Sequence, residues 1–331
     1  MKRTVSEWIE EYMYDCKCRQ LRPKTMQSYE QTLRLFERWL REEQGIEDVK
    51  QVTEPMMRRY IVDLQERGKY TAYAVDAAKI SNCPERRRDY RETVSNITIN
   101  NYIRNIRAFF NWLDLEGVLS KNPMKKIRQL KTEREPREFL EDEEFIGLTR
   151  RFDLSYFVEH RDYMVVHLLF DTGMRLGECL QLGVEDVDLR NRSIYLPGEV
   201  TKGRKSRTVF FSKKTEKLMR RWLQFKDRYC ESDRLFPIQA TGEAVNVSAF
   251  EKNFRKYLQR AGITKSLSPH ALRNNFAKRC LLSGMDIYTL SRILGHSSVT
   301  VTEKAYLDIT DDDLSRRYRH FSPLENMKRW E

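Results

Sequence analysis

Four short stretches in the second half of the chain carry side chains suited to handling a phosphate. Thr172-Gly173-Met174-Arg175-Leu176-Gly177-Glu178-Cys179-Leu180 places an arginine just after a glycine break, at the start of a helical pattern. The positive end of a helix dipole disfavours a cation. Arg175 makes sense there if it meets an anion alongside free backbone N–H groups. The plainer alternative is an ion pair with Glu178 three residues on, worth roughly 0.2–0.5 kcal/mol. Pro269-His270-Ala271-Leu272-Arg273 sets a histidine and an arginine on one helix face, a charge clamp and proton donor for one phosphate. His-x-x-Arg is nevertheless common in helices by chance. In Leu294-Gly295-His296-Ser297-Ser298 the glycine can end a helix and let His296 approach a ligand closely. Tyr306 follows ten residues later. Its phenol could act as a nucleophile, though taken alone it reads as a core or interface tyrosine.

Elements of two kinds would have to position these groups. Over the first 120 residues the apolar residues recur at helical spacing. Residues 25–41 set Tyr29, Leu33, Phe36 and Leu40 on one face, with Thr25 as the expected N-cap. A second helix starts near Thr53 and buries Tyr60, Ile61 and Leu64. A third runs from Thr98 to about Gly117 with Ile99, Ile103, Ile106, Phe109, Phe110 and Leu113 inward, and residues 4–16 form a weaker fourth. Outward faces carry Arg34, Arg38, Arg41, Arg104 and Arg107, candidates for a phosphate backbone. Residues 69–97 read as an extended polar loop. Residues 121–138, charged and with two prolines, read as an interdomain linker whose Lys125 and Lys126 could lie along DNA. From 139 on, helices are expected at 141–152, 160–172, 173–182, 213–230, 247–260, 270–283, 286–294 and 300–307. Two or three short strands fall around 192–196 and 207–211, with Lys202-Gly203-Arg204-Lys205 in the turn between them.

The 331 residues carry 61 Lys+Arg against 49 Asp+Glu, a formal charge of +12. That excess favours a polyanionic partner, most simply nucleic acid. No apolar run is long enough to span a bilayer, and Met1-Lys2-Arg3-Thr4 does not lead into a signal-like apolar stretch. The expected location is cytoplasmic, with the nucleoid. The six cysteines make no zinc spacing and read as reduced structural residues, so no metal or cofactor is expected.

Arg175, Lys202, His270, Arg273, His296 and Tyr306 occur in this order, each in a matching local context. With "TGMRLGECLQLGVEDVDL", "TKGRKSRTVFF", "SPHALRNNFAKRCLLSGMDIYTLSRILGHSSVTVTEKAYL" and the helical region before them, the chain resembles the tyrosine recombinases, also called the phage integrase family. The resemblance covers nearly the whole length. It implies a mainly α fold with one small antiparallel sheet: an N-terminal SAM-like core-binding bundle over 1–120, a linker, and a catalytic domain over 139–331 with a C-terminal tail. It also implies site-specific DNA recombination. Arg175 and Arg273 would grip the scissile phosphate, with His270 and His296 beside it and Glu178 supporting the pocket. Lys202 would protonate the leaving 5′ oxygen, and Tyr306 would form a 3′-phosphotyrosyl link. Arg204 and Lys205 share the turn with Lys202 and are expected DNA contacts, and Lys205 is the alternative catalytic lysine. Asn274-Asn275-Phe276 departs from the family's more usual His-Thr-Phe. The implied partners are double-stranded DNA with an inverted-repeat core site and either further copies of the chain or a related recombinase, forming a tetramer on DNA. The apolar spacing of Leu314, Tyr318, Phe321 and Leu324 suggests a tail that docks on a neighbouring protomer. The chain opens almost directly on the bundle, which points to a compact Xer-like or mobile-element integrase. A type IB topoisomerase shares the same catalytic set, but the bundle speaks against it. A DNA-binding protein without catalysis is the alternative of another class, against which the complete set of catalytic residue types argues.

Overall fold

The computed structural model describes residues 3–73, 83–132, 138–201, 203, 205–296 and 298–305, together with 315, 318 and 322. It divides into two compact units, Met1–Arg134 and Glu135–Glu331.

The first unit is helical. Helix α1 (Val5–Cys18) begins at a reciprocal cap: the Thr4 hydroxyl accepts from the Glu7 N–H, and the Glu7 carboxylate accepts from the Thr4 N–H. Helix α2 (Pro23–Gln44) starts two residues before the expected Thr25 cap. Pro23 sits in the first turn, where its missing N–H has no partner to lose. Helices α3 (Glu54–Glu66) and α4 (Asn96–Leu115) complete the bundle, α4 being capped by the Ser95 hydroxyl. Ile9, Leu33, Phe36, Tyr60, Leu64, Ile103, Phe109 and Phe110 fill its core.

The stretch expected as a linker is different in its first half. Met124 and Ile127 are buried in the bundle core and Leu130 packs against it. The Asn100 side chain holds Leu130 by both its N–H and its carbonyl. Apolar residues three apart tie this charged segment to the bundle through residue 130. At the foot of the 69–97 excursion, Gly68 bridges Thr93, and the Lys69 N–H donates to the Glu92 carbonyl at 2.7 Å.

The second unit carries the candidate chemistry. Helices α5 (Asp142–Thr149), α6 (Phe157–Thr172) and the single turn α7 (Leu176–Cys179) precede a three-stranded antiparallel sheet. Its strands are β1 (Val187–Asp188), β2 (Ser193–Leu196) and β3 (Arg207–Phe210), and Ile194 pairs with Val209. Helices α8 (Lys213–Tyr229), α9 (Val247–Arg260), α10 (His270–Leu282), α11 (Ile287–Leu294) and α12 (Val299–Ala305) follow. Helix α6 is the central element. Met164, Val165, Val166, Leu168 and Leu169 are buried, and α8 and α10 pack on it. The helix expected at 173–182 shrinks to one turn. Gly173 ends α6 in the left-handed region at φ 64°, and Arg175 is extended at φ −79°, ψ 145°. No helix among the described residues is long and apolar enough to cross a membrane.

Candidate active site

Three arginines converge on the C-terminal turn of α11. The last carbonyls of a helix have no intrahelical partner and carry the negative end of its dipole. Here three successive ones are taken by guanidinium groups. Arg207 Nε donates to the Ile293 carbonyl at 3.0 Å, Arg273 Nη2 to Leu294 at 2.8 Å, and Arg175 Nη2 to Gly295 at 3.5 Å. Arg273, 2% exposed, also donates from Nη1 to the Gly173 carbonyl at 2.7 Å, at the end of α6. Two helix C-termini thus hold one buried cation.

Two glycines leave room for close packing at these helix ends. A Cβ on Gly173 would lie 2.3 Å from Phe276 Cδ1, and one on Gly295 would lie 2.9 Å from Arg207 Cδ. Both have positive φ, 64° and 65°, which favours glycine.

Glu178 supplies the counter-charge. Its carboxylate, 2% exposed, accepts from Arg207 Nη2 at 2.6 Å and Nη1 at 3.2 Å, from Arg175 Nη1 at 2.9 Å, and from the Arg175 backbone N–H at 3.0 Å. Burial works to raise the carboxyl. The hydrogen bonds and charge of Arg207, followed by those of Arg175, outweigh it and hold Glu178 below the ordinary carboxylate range. Arg207 and Arg175 share one carboxylate and Arg273 lies in the same cluster, so it keeps an excess of positive charge suited to an anion.

His296 sits inside this ring of cations. Its Nε2 is 2.9 Å from Arg273 Nη2, and its Nδ1 is 2.7 Å from Thr302 Oγ1. Burial, then the charges of Arg273, Arg175, Arg207 and His270, push its pKa down to about 4, so the ring is neutral near pH 7. His270, the exposed first residue of α10, lies one helical turn before Arg273.

The cluster therefore brings together Arg175, Glu178, Arg273 and His296, with His270 at its side. The ion pair between Arg175 and Glu178 weighed as the plainer alternative does form, but inside the cluster. Tyr306, Lys202 and Arg204 lie outside the described residues, as does most of the tail. Lys205 is exposed and lines a 720 Å³ cavity beside the cluster with Arg207, Phe210, Tyr288, Arg292 and His296.

In the bundle, Arg34 is engaged by Ser6 and Glu10, Arg38 by Glu42 and the Tyr73 carbonyl, and Arg107 by the Ile127 carbonyl. Arg104, held by Asn101, and Lys125 and Lys126 are exposed. Arg207 and Thr302 were not singled out from the sequence. Arg207 alternates with the exposed Thr208 and shares its strand face with buried Val209. An arginine on an inward strand position implies a buried partner, and that was the available signal.

Residues 153–313 match the phage integrase family, and residues 9–80 match the phage integrase N-terminal SAM-like domain. A tyrosine recombinase XerC of Oceanobacillus iheyensis is 26% identical over 310 residues, covering 92% of each chain. A tyrosine recombinase of Thermosipho africanus is 28% identical over 222 residues, covering 67% of this chain and 75% of that one. The same fold occurs in the Tn1549 transposon integrase in complex with a circular intermediate DNA (TM-score 0.70, 18% identity, 96% of this chain and 99% of that one). It occurs again in the XerH recombinase bound to a palindromic difH substrate after cleavage (TM-score 0.67, 21% identity, 97% and 85%).

Proposed function

The chain belongs to the phage integrase family, the tyrosine recombinases, and from that premise we propose how its own residues carry out site-specific DNA recombination. Arg175 and Arg273 bind the non-bridging oxygens of the scissile phosphate, for which a planar and permanently charged fork is suited. Glu178 and Arg207 hold Arg175 in place. His270 and His296 flank the phosphate and handle protons. The Tyr306 hydroxyl gives up its proton to His270, and its oxygen bonds to phosphorus. The bond from phosphorus to the 5′ oxygen breaks, and that oxygen takes a proton from Lys202 or Lys205. The 3′-phosphotyrosyl link keeps the phosphodiester energy, so the reverse attack by a 5′ hydroxyl rejoins the strand without ATP. Positive groups fixed around the phosphorus stabilise the added charge of the pentacoordinate state.

The observation that carries this reading is the convergence of Arg175, Arg273 and His296 on the end of α11. Three groups distant in sequence meet where an anion is favoured. The partner is duplex DNA with an inverted-repeat core site, on which four protomers assemble, either all of this chain or with a related recombinase. Cleavage and exchange proceed through a Holliday junction, in the cytoplasm and on the nucleoid. The residue 69–97 excursion favours a mobile-element integrase over a chromosome-dimer resolvase. Arg104, Lys125 and Lys126 are exposed on the bundle and contact phosphates in this reading.

The test is a nicked suicide substrate carrying candidate inverted repeats. The intact protein forms a covalent protein–DNA adduct, and Tyr306→Phe forms none while binding the same DNA. Specific binding without any adduct would identify a non-catalytic DNA-binding protein instead.

A further inference from the structure

The contact between His296 and Thr302 has no part in the scheme above. Thr302 lies on α12 with no exposed surface, and its hydroxyl oxygen is 2.7 Å from His296 Nδ1. The other ring nitrogen faces Arg273 Nη2 at 2.9 Å. A guanidinium has five donors and no acceptor, so Nε2 meets it through its lone pair. The proton of the neutral ring is then on Nδ1, and the Thr302 oxygen accepts it.

The cationic and imidazole groups around the ring act in the same direction. Arg273 and His270 approach from α10, Arg175 from the turn before α7, and Arg207 from β3. Each disfavours an imidazolium. A carboxylate at the Nδ1 end would work against them by raising the basicity of the ring. A threonine hydroxyl accepts the Nδ1 proton without adding charge. Thr302 also precedes Tyr306 by four positions in the sequence.

We propose that Thr302 is a positioning residue for strand cleavage: it holds His296 as the Nδ1–H tautomer with Nε2 as an acceptor beside Arg273, and it ties that ring to the helix leading into Tyr306. His296 then enters the reaction as a neutral ring whose Nε2 lone pair faces Arg273 and carries no proton to donate there. This narrows its part to orienting Arg273 and rests on the recombinase reading.

The test uses the full-length protein labelled with 15N-histidine, as wild type, Thr302→Val and Thr302→Ser, with a His296→Gln variant to assign the resonance. Nitrogen shifts in the wild type and in Thr302→Ser report the Nδ1–H tautomer, and Thr302→Val loses that signature while keeping its far-UV circular dichroism. Thr302→Val slows adduct formation on the suicide substrate roughly tenfold or more, as expected for stranding a buried donor, and Thr302→Ser stays within about threefold of wild type. DNA affinity is unchanged in both variants. An Nε2–H tautomer in the wild type overturns the proposal, as does wild-type cleavage by Thr302→Val. Absence of adduct from the wild type itself would refute the recombinase reading, while the nitrogen shifts would still decide whether Thr302 sets the tautomer.

Discussion

Replacing Glu178 with glutamine changes one oxygen to an amide nitrogen and removes one charge. The consequences follow from the contacts at that carboxylate. Its two oxygens accept four N–H groups, from Arg207 at 2.6 and 3.2 Å and from the Arg175 side chain and backbone at 2.9 and 3.0 Å. Glutamine keeps one acceptor and turns an NH2 donor toward guanidinium donors. Arg207 and Arg175, with side chains 10% and 25% exposed, lose their counter-charge. Removing one partner of a fully buried ion pair costs about 3–5 kcal/mol. The remaining oxygen and the partial exposure of Arg175 reduce this to about 2–3 kcal/mol. Urea unfolding followed by tryptophan fluorescence reads the loss in the transition of the second unit, which contains Trp222. The same change frees Arg175 from its anchor, so adduct formation should fall about 100-fold, the order expected for an ångström-scale misplacement. Unfolding within about 0.5 kcal/mol of wild type, with cleavage reduced less than threefold, would refute the claim that Glu178 organises the arginines.

Three further outcomes follow. Gly173→Ala places a Cβ 2.3 Å from Phe276 Cδ1 at a φ of +64°. It should destabilise the protein by at least about 2 kcal/mol, read by thermal unfolding, and Phe276→Leu should recover part of the loss. His296 titrates near 6.5 in the unfolded chain and at about 4 in the fold. Its contribution is therefore complete above pH 6.5 and is lost as the pH falls toward 4. It is about 2 kcal/mol after discounting for partial exposure, and His296→Gln should flatten the unfolding profile across that window. Affinity for the core site should fall log-linearly with salt, with a slope near −0.9 for each neutralised phosphate. Lys125→Gln with Lys126→Gln should make the slope shallower by up to about 2, whereas an unchanged slope would remove these lysines from the DNA interface.

The helical bundle was legible because α2 and α4 place large apolar residues on one stripe, among them Phe36 and Phe110, and burial follows that stripe. The end of the bundle was not legible. Met124 and Ile127 sit in a segment rich in lysine and arginine, and composition outweighed a three-residue apolar spacing. The helix expected over 173–182 failed for a conformational reason. Gly173 adopts positive φ and Arg175 is extended, so α6 ends before the arginine, and only a single turn follows it.

At the site, residue types and order pointed to Arg175, His270, Arg273 and His296, which lie together in the fold. Their partners could not be read the same way. The Arg273 contacts are backbone carbonyls of Gly173 and Leu294, which any residue type provides. Arg207 shares a strand face with buried Val209, but its partner Glu178 lies on a separate turn that the strand pattern does not reveal. Tyr306 and Lys202 were assigned by resemblance, and they lie outside the described residues.

The central claim is that Tyr306 becomes bonded to DNA under the grip of Arg175 and Arg273. Tandem mass spectrometry of peptides from the trapped adduct reads this directly. The account requires a nucleotide-bearing peptide whose modified residue is Tyr306, and its loss in Arg273→Ala protein that still binds the site. A modification on any other residue, or an adduct that survives removal of Arg273 at full yield, would contradict it.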